Sequence, residues 1–200
     1  MQRWNFHTHS NWCDGKNTVQ EMADAAYALG FSALGFSGHG NCPVSREYCM
    51  TPEGEARYRQ DVLAQRKRYR GCMHIFLGLE LEAQDARAFP PGMYDYLIGS
   101  LHYVEVGGVA YPMDDSAETL GRCIREGFGG DAYRLAEAFF ARSAAAISAR
   151  RPDIVGHFDL LARYNGQGRF FDEDSPRYQG IAIEAVREAA KTGAIFEVNS

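Results

Sequence analysis

Two histidines and an aspartate lie close together near the start of the chain. His7 and His9 are two residues apart, directly after a short apolar run, and Asp14 follows at a tight turn that Gly15 would form. If residues 4–6 form a strand, His7 and His9 point to the same face, so both ring nitrogens can bind one cation. The pattern predicts the start of a metal site, with Asp14 able to reach a neighbouring cation.

A His-x-His pair near a terminus can also be a solvated pair or part of a tag. Here a Cys-Asp-Gly turn and a well-formed helical pattern follow the pair, which a tag would not show. The dipeptide spacing alone has limited specificity for metal binding. The case therefore depends on what the rest of the chain supplies.

Composition restricts the class of protein. The chain has 200 residues, of which 46% are hydrophobic and 24% charged, as expected for one globular domain over residues 1–200. The net charge of −5 and the absence of a basic stripe argue against nucleic acid as a partner. No run of 18 apolar residues and no secretory signal are present, so we expect no membrane partner and a cytoplasmic location. Five cysteines without a Cys-x-x-Cys pair predict reduced, structural thiols.

Short β-rich runs alternate with longer amphipathic runs, which predicts an α/β fold with a parallel sheet. The first helix has Thr18 as its N-cap, Glu21 three residues later and Gly30 as its stop. Helices are predicted at 18–29, 53–69, 117–127, 132–149 and 180–192, and strands at 4–6, 33–37, 73–79, 96–101, 154–156 and 194–198. No glycine-rich phosphate fingerprint follows the first strand, so a dinucleotide-binding fold is disfavoured.

A residue that can bind a metal follows each of the first five predicted strands. These residues are His7 and His9, then His39, Glu80, His102 and His157. One histidine after a strand is more often a hydrogen-bonded loop residue, but five consecutive strands with the same chemistry favour a shared site. A barrel brings all these strand ends to one face, whereas an open sheet spreads them along a line. His74 lies at the start of a strand and is excluded.

Five segments together resemble the PHP family and, within it, the histidinol-phosphatase group. They are residues 5–15, the Phe-Ser-Gly-His step at 36–39, Gly-Leu-Glu at 78–80, residues 98–102 and residues 154–159. The resemblance implies a distorted (β/α)7 barrel with up to three divalent metal ions at its C-terminal mouth. It also implies a phosphoric monoester hydrolase that converts L-histidinol phosphate to L-histidinol and phosphate, late in histidine biosynthesis.

The resemblance also distributes the candidate ligands over three ions. His7, His9 and Glu80 bind the first ion, Glu80 with His102 and His157 binds the second, and Asp14 with His39 binds the third. Glu80 suits a bridging role because a carboxylate has two oxygens. A mixed set of imidazole and carboxylate ligands fits zinc, iron or manganese, and the sequence does not choose among them.

Phosphate monoesters resist attack because their oxygens repel a nucleophile. Paired metals about 3.5–4 Å apart supply positive charge and an activated water, so no side chain is expected to act as the catalytic nucleophile. Glu82 and Asp159 are candidates for orienting the ligating histidines, or are solvated loop carboxylates. Arg163 is a candidate for gripping the small phosphorylated substrate, or is a surface arginine. The loop at 41–50 is the predicted place of substrate recognition.

One departure from the family concerns the C-terminal part. Members of the family continue past the strand that ends here at residues 196–200 and supply an Asp-x-His motif, which this chain lacks. We therefore expect an incomplete barrel of about six strands with the last strand missing, in a chain truncated relative to the family. Two alternatives stay open: a PHP phosphoesterase for another small phosphorylated substrate, or a metal-binding remnant without activity. Metal identity and oligomeric state are open as well.

Overall fold

The structure is a computed structural model, and it describes residues 3–42, 44 and 47–198 of the chain. In chain order its elements are β1 (Arg3–Asn5), α1 (Val19–Ala28), β2 (Phe31–Phe36), α2 (Pro52–Arg68), β3 (His74–Glu82), β4 (Tyr96–Ser100), β5 (Tyr103–Val106), β6 (Val109–Pro112), α3 (Ala117–Phe128), α4 (Ala132–Arg150), β7 (Ile154–Val155), α5 (Pro176–Ala190) and β8 (Ile195–Phe196). Within these residues, no helix combines the length and the apolar character that crossing a membrane requires.

The chain folds as two compact units, one ending at Ile98 and the other beginning at Gly99. The first unit has the strand order β1-β2-β3-β4, and the β1–β2 and β2–β3 pairs are parallel. The last residues of β4 belong to the second unit. There the strand order continues from β4 to β7 and then β8, and β7 and β8 pair in parallel. The α/β class and all six predicted strands are confirmed. The prediction of a single domain over residues 1–200 stays a prediction.

The hairpin β5–β6 was not predicted from the sequence. Its two four-residue strands pair antiparallel and are joined by Gly107 and Gly108, whose φ angles are +60° and +77°. A two-residue turn with positive φ at both positions matches the right-handed twist of the strands it joins, and glycine adopts it without a steric penalty. The Gly-Gly pair was therefore the signal for this hairpin in the sequence.

Helix α1 begins and ends where its sequence predicts. The Thr18 side chain accepts a hydrogen bond from the backbone N–H of Glu21 at 3.2 Å, and the Glu21 carboxylate accepts one from the backbone N–H of Thr18 at 2.8 Å. Two backbone donors that a helix start leaves without partners are thus satisfied reciprocally. Gly30, with φ +75°, ends the helix. The capping box fixes the N-cap of α1 four residues after Asp14.

The buried core of the first unit contacts the segments at the ends of its strands. Tyr58 from α2 is fully buried, together with Phe36 and Leu79 from the neighbouring strands. The Tyr58 hydroxyl donates to the carbonyl of Gly78 at 2.8 Å and accepts from the backbone N–H of Gly38 at 3.4 Å. Because Gly38 directly precedes His39, this buried contact ties the segment that carries the histidine to the core.

The side chain of Tyr96 lies across the neighbouring strands of the first unit. Its ring occupies the space beside Gly35 on β2 and Gly78 on β3, where neither residue has a side chain. Its hydroxyl donates to the carbonyl of Phe6 at 2.6 Å. Tyr96 therefore holds the end of β1 immediately before His7, and both glycines are required by its ring.

We expect the change Gly78→Ala to lower the free energy of unfolding by about 1–3 kcal/mol, since overpacking a filled core has costs of that order. A Cβ at this position would overlap three ring atoms of Tyr96, and the ring is buried. Gly180→Ala in α5 is the matched control: a Cβ there meets no atom within 4 Å, and alanine favours a helix over glycine by about 0.5–1 kcal/mol. Urea unfolding followed by circular dichroism measures both. A Gly78→Ala variant as stable as the wild type would contradict the packing described for Tyr96.

Candidate metal centre

The segment after β1 alternates between two faces. Thr8 faces β2: its hydroxyl donates to the carbonyl of Gly35 at 2.6 Å, and its carbonyl accepts from the backbone N–H of Ser37 at 2.9 Å. His7 and His9 consequently project from the opposite face, as the two-residue spacing predicts. Both imidazoles reach the same carboxylate, that of a glutamate on β3.

That glutamate is Glu80, whose side chain is fully buried. Its oxygen Oε2 lies 3.3 Å from Nε2 of His7, 3.1 Å from Nε2 of His9 and 3.1 Å from Nδ1 of His39. Parallel pairing continues past the end of β2 as a bridge between His39 and Glu80, and Gly40 donates its backbone N–H to the Glu80 carbonyl at 2.9 Å. Three imidazole nitrogens therefore converge on one buried carboxylate oxygen.

A tight turn returns Asp14 to the histidines. The backbone N–H of Gly15 donates to the carbonyl of Ser10 at 3.0 Å, and a Cβ at Gly15 would lie within 2.8 Å of three backbone atoms of residues 9 and 10. Only glycine fits so close an approach. Oδ1 of Asp14 then lies 2.7 Å from Nδ1 of His9, and Oδ2 lies 3.7 Å from Nε2 of His39. Asp14 thus lies beside His39, with which the resemblance to the PHP family groups it, and also beside His9.

The donor atoms of this cluster fit a divalent cation. One ligand atom from each of His7, His9 and Glu80 can be chosen so that all three lie within 4.8 Å of one another. Among the described residues, the buried Nε2 atom of His9 faces Oε2 of Glu80 at 3.1 Å but without the geometry of a hydrogen bond. A buried polar atom whose hydrogen bond is not formed is costly, and a cation at this point would satisfy it. Imidazole and carboxylate donors are the set that zinc, iron and manganese accept.

Cys13 is a possible ligand that the sequence analysis overlooked. Its thiol lies within the same 4.8 Å range of donor atoms from His9 and Asp14, and the side chain is half-buried. The signal in the sequence was its place in the turn, directly before Asp14. A thiolate would add a softer donor to the set and favour zinc or iron over magnesium or calcium.

The protonation of the cluster is set by its carboxylates. Burial disfavours the charged imidazolium of His9, but the contacts with Asp14, Cys13 and Glu80 outweigh burial and raise the pKa of His9 to about 12. Burial alone would raise the pKa of the Asp14 carboxyl, but the adjacent His39 and His9 rings hold it well below its usual range. Without a cation, His9 therefore carries a proton at neutral pH. Metal binding must displace that proton.

The remaining two candidate ligands belong to the second unit and lie together there. His102 is the second residue after β4 and is buried, and His157 is the second residue after β7, with one glycine between them. Their ring centroids are 4.8 Å apart in an edge-to-face arrangement. The two histidines are therefore close enough to share an ion. Their assignment with Glu80 to a second ion stays a prediction.

The other candidate residues have less defined surroundings. Glu82 is buried on β3 and accepts a hydrogen bond from the next backbone N–H at 3.2 Å. Asp159 is exposed at the start of the short 3₁₀ turn Leu160–Ala162. Arg163 is exposed, with its guanidinium carbon 5.7 Å from the ring centroid of Tyr164. Their predicted roles stay predictions. In the predicted recognition loop, residues 43, 45 and 46 lie outside the described residues.

Known proteins resemble the chain both in sequence and in structure. The family model of the PHP domain matches residues 5–200 of the chain. No curated protein sequence matches it. The crystal structure assigned as histidinol phosphatase HisK from Listeria monocytogenes is similar, with a TM-score of 0.79 and 19% identity over 97% of this chain and 81% of that one.

A second similar structure is that of histidinol phosphate phosphatase HisK from Lactococcus lactis subsp. lactis, which contains zinc, L-histidinol and phosphate. Its TM-score is 0.74, with 19% identity over 99% of this chain and 73% of that one. Likeness at this identity shows the fold alone. The predicted fold, an α/β fold of the PHP type with a main sheet of six strands, is thereby confirmed.

Proposed function

Since the chain belongs to the PHP family, we propose that it is a metal-dependent phosphoric monoester hydrolase and that its substrate is L-histidinol phosphate. The observation that carries the proposal is the convergence of three imidazole nitrogens, from His7, His9 and His39, on the buried carboxylate of Glu80. The structure of the Lactococcus relative contains L-histidinol and phosphate, which are the two products of that hydrolysis. This supports the choice of substrate and a place late in histidine biosynthesis.

The proposal assigns the ions to the donor groups described above. His7, His9 and Glu80 hold one divalent ion, Asp14 and His39 contribute to a neighbouring one, and His102 with His157 contributes to a third. Zinc is the first choice, because the Lactococcus relative binds it, and iron or manganese would suit the same donors. When bound, the ions supply positive charge for the phosphate oxygens and activate water for attack.

The protein residues orient the donors and carry their protons. Asp14 accepts a hydrogen bond from Nδ1 of His9, which fixes the tautomer that presents Nε2 towards Glu80. Glu80 supplies a buried negative charge, while neutral histidines complete the donor set without cancelling the charge that polarises the phosphate. The exposed guanidinium of Arg163 is proposed to bind the phosphate group of the substrate, because its planar donors match phosphate oxygens.

Phosphate release from a panel of small phosphomonoesters tests the substrate. We expect zinc- or manganese-loaded protein to hydrolyse L-histidinol phosphate with a higher kcat/KM than the other esters, and a chelator to remove the activity. A higher kcat/KM for another ester would retain the phosphoesterase and replace its substrate. Protein that binds metal but hydrolyses no ester would contradict the proposed hydrolase and favour a metal-binding remnant.

Hydrolysis in ¹⁸O-labelled water tests the bond that breaks. Attack of water at phosphorus places the label in the released phosphate and leaves the histidinol unlabelled, because the P–O bond is cleaved. Mass spectrometry of both products measures this. Label in the histidinol would show cleavage of the C–O bond and contradict the proposed chemistry.

A further inference from the structure

Glu197, directly after β8, contacts the backbone of His157. The parallel pairing of β7 and β8 extends to Glu197, whose backbone N–H donates to the carbonyl of Val155 at 2.9 Å. From this position its carboxylate oxygen Oε2 accepts a hydrogen bond from the backbone N–H of His157 at 3.0 Å. The residue directly after β8 thus fixes both the end of β7 and the histidine beyond it.

His157 has an unusual backbone conformation. Its φ angle is +20°, and positive φ angles are uncommon outside glycine. Such a conformation persists where the surrounding structure holds it, and it concentrates at functional sites. Gly156 donates its N–H to the carbonyl of Gly99 at 3.1 Å, and the carbonyl of His157 accepts from Leu160 at 2.9 Å. The N–H of His157 is directed to Glu197.

The backbone conformation of His157 determines where its ring lies. The strand ends at Val155, and the turn at His157 brings its imidazole to within 4.8 Å of the ring of His102, measured between centroids. A histidine in ordinary extended conformation would continue along the strand instead. The contact with Glu197 therefore helps to set the distance between the rings of His157 and His102.

We propose that Glu197 is a positioning residue of the metal centre: through the backbone N–H of His157 it holds the imidazole of His157 opposite that of His102, so that both can bind one ion. This inference rests on the proposed function, since it assumes that the two histidines are ligands. Glu197 acts through the backbone of His157. A hydrogen bond to a carboxylate is charge-assisted and stronger than a neutral one, which suits a contact that holds a strained residue.

Two substitutions separate this role from others. Glu197→Ala removes the acceptor, whereas Glu197→Gln keeps an acceptor oxygen in nearly the same place and removes only the charge. The exposed Glu184 on α5 provides the matched control Glu184→Ala. NMR of the full chain during a zinc titration follows the imidazole resonances of His102 and His157. The titration therefore measures the zinc affinity of this histidine pair separately from zinc binding elsewhere in the protein.

We expect Glu197→Ala to weaken zinc binding at the pair by about 10- to 100-fold, as for other groups that orient metal ligands. Glu197→Gln should restore most of the affinity, and Glu184→Ala should match the wild type. In the metal-free protein, the amide proton of His157 should resonate downfield in the wild type, and lose that shift and its protection from exchange in Glu197→Ala.

Three results would overturn the inference. Unchanged zinc affinity in Glu197→Ala, or equal losses in the alanine and glutamine variants, would remove the positioning role while leaving the proposed hydrolase intact. Wild-type imidazole resonances that do not respond to zinc would show that His102 and His157 are not ligands. The proposed hydrolase function is tested separately, by measuring phosphate release by the wild-type protein.

Discussion

Replacing Glu80 with glutamine is expected to remove tight metal binding and, with it, phosphatase activity. The substitution preserves the shape of the side chain but removes the negative charge on which three imidazoles converge. Loss of a residue that only orients a metal ligand lowers metal affinity by about 10- to 100-fold, and loss of a charged ligand should lower zinc affinity at least as much.

Zinc affinity is measured by competition with a chromophoric chelator, and kcat/KM by phosphate release. The matched control is Glu53→Gln, which removes an exposed carboxylate from the first turn of α2 in the same unit. It should bind zinc and turn over substrate as the wild type does. Wild-type zinc affinity in Glu80→Gln would contradict the placement of the cation at this carboxylate.

Zinc affinity is expected to fall about tenfold for each pH unit lost between pH 8 and pH 6, or about a hundredfold in all. The cause is the proton on His9, whose pKa is raised to about 12 in the metal-free protein by Asp14, Cys13 and Glu80 against the effect of burial. Each ion that binds there must release it. A histidine at its usual pKa of about 6.5 would give a nearly flat dependence above that value.

Calorimetry in two buffers of different ionisation enthalpy counts the released protons, and we expect about one from His9 for the ion that it binds. The control His74→Gln removes an exposed imidazole at the start of β3 and should leave the pH dependence unchanged. An affinity that does not change between pH 7 and pH 8 would contradict a protonated His9.

In the metal-free chain, the raised pKa of His9 means that its protonation stabilises the fold. This contribution is fully present below about pH 6.5 and is lost as pH rises towards 12.

The sequence predicted those parts of the fold that local chemistry controls. The capping box of Thr18 with Glu21 and the stop at Gly30 place α1 correctly, because caps act over a few residues. The alternation that sends His7 and His9 to one face is equally local. The contact of these rings with Glu80 joins segments that are distant in the sequence. It could be predicted only because residues that can bind a metal recur at the ends of successive strands.

Other features could not be predicted because they depend on packing between distant segments. The requirement for glycine at 35 and 78 arises from the ring of Tyr96, which is remote in sequence from both. The carboxylate of Glu197 reaches His157 only after β7 and β8 have paired, so its sequence position did not indicate a role. Cys13 was classed with the structural thiols because its nearness to His9 follows from the closure of the turn at Gly15.

The central claim, that His7, His9 and Glu80 hold a divalent cation, is tested most directly by a crystal structure of the zinc-loaded protein with diffraction data collected on both sides of the zinc absorption edge. We predict an anomalous difference peak within about 2.0–2.2 Å of Nε2 of His7, Nε2 of His9 and a carboxylate oxygen of Glu80. Zinc-loaded crystals in which these three side chains contact one another with no anomalous peak between them would contradict the account.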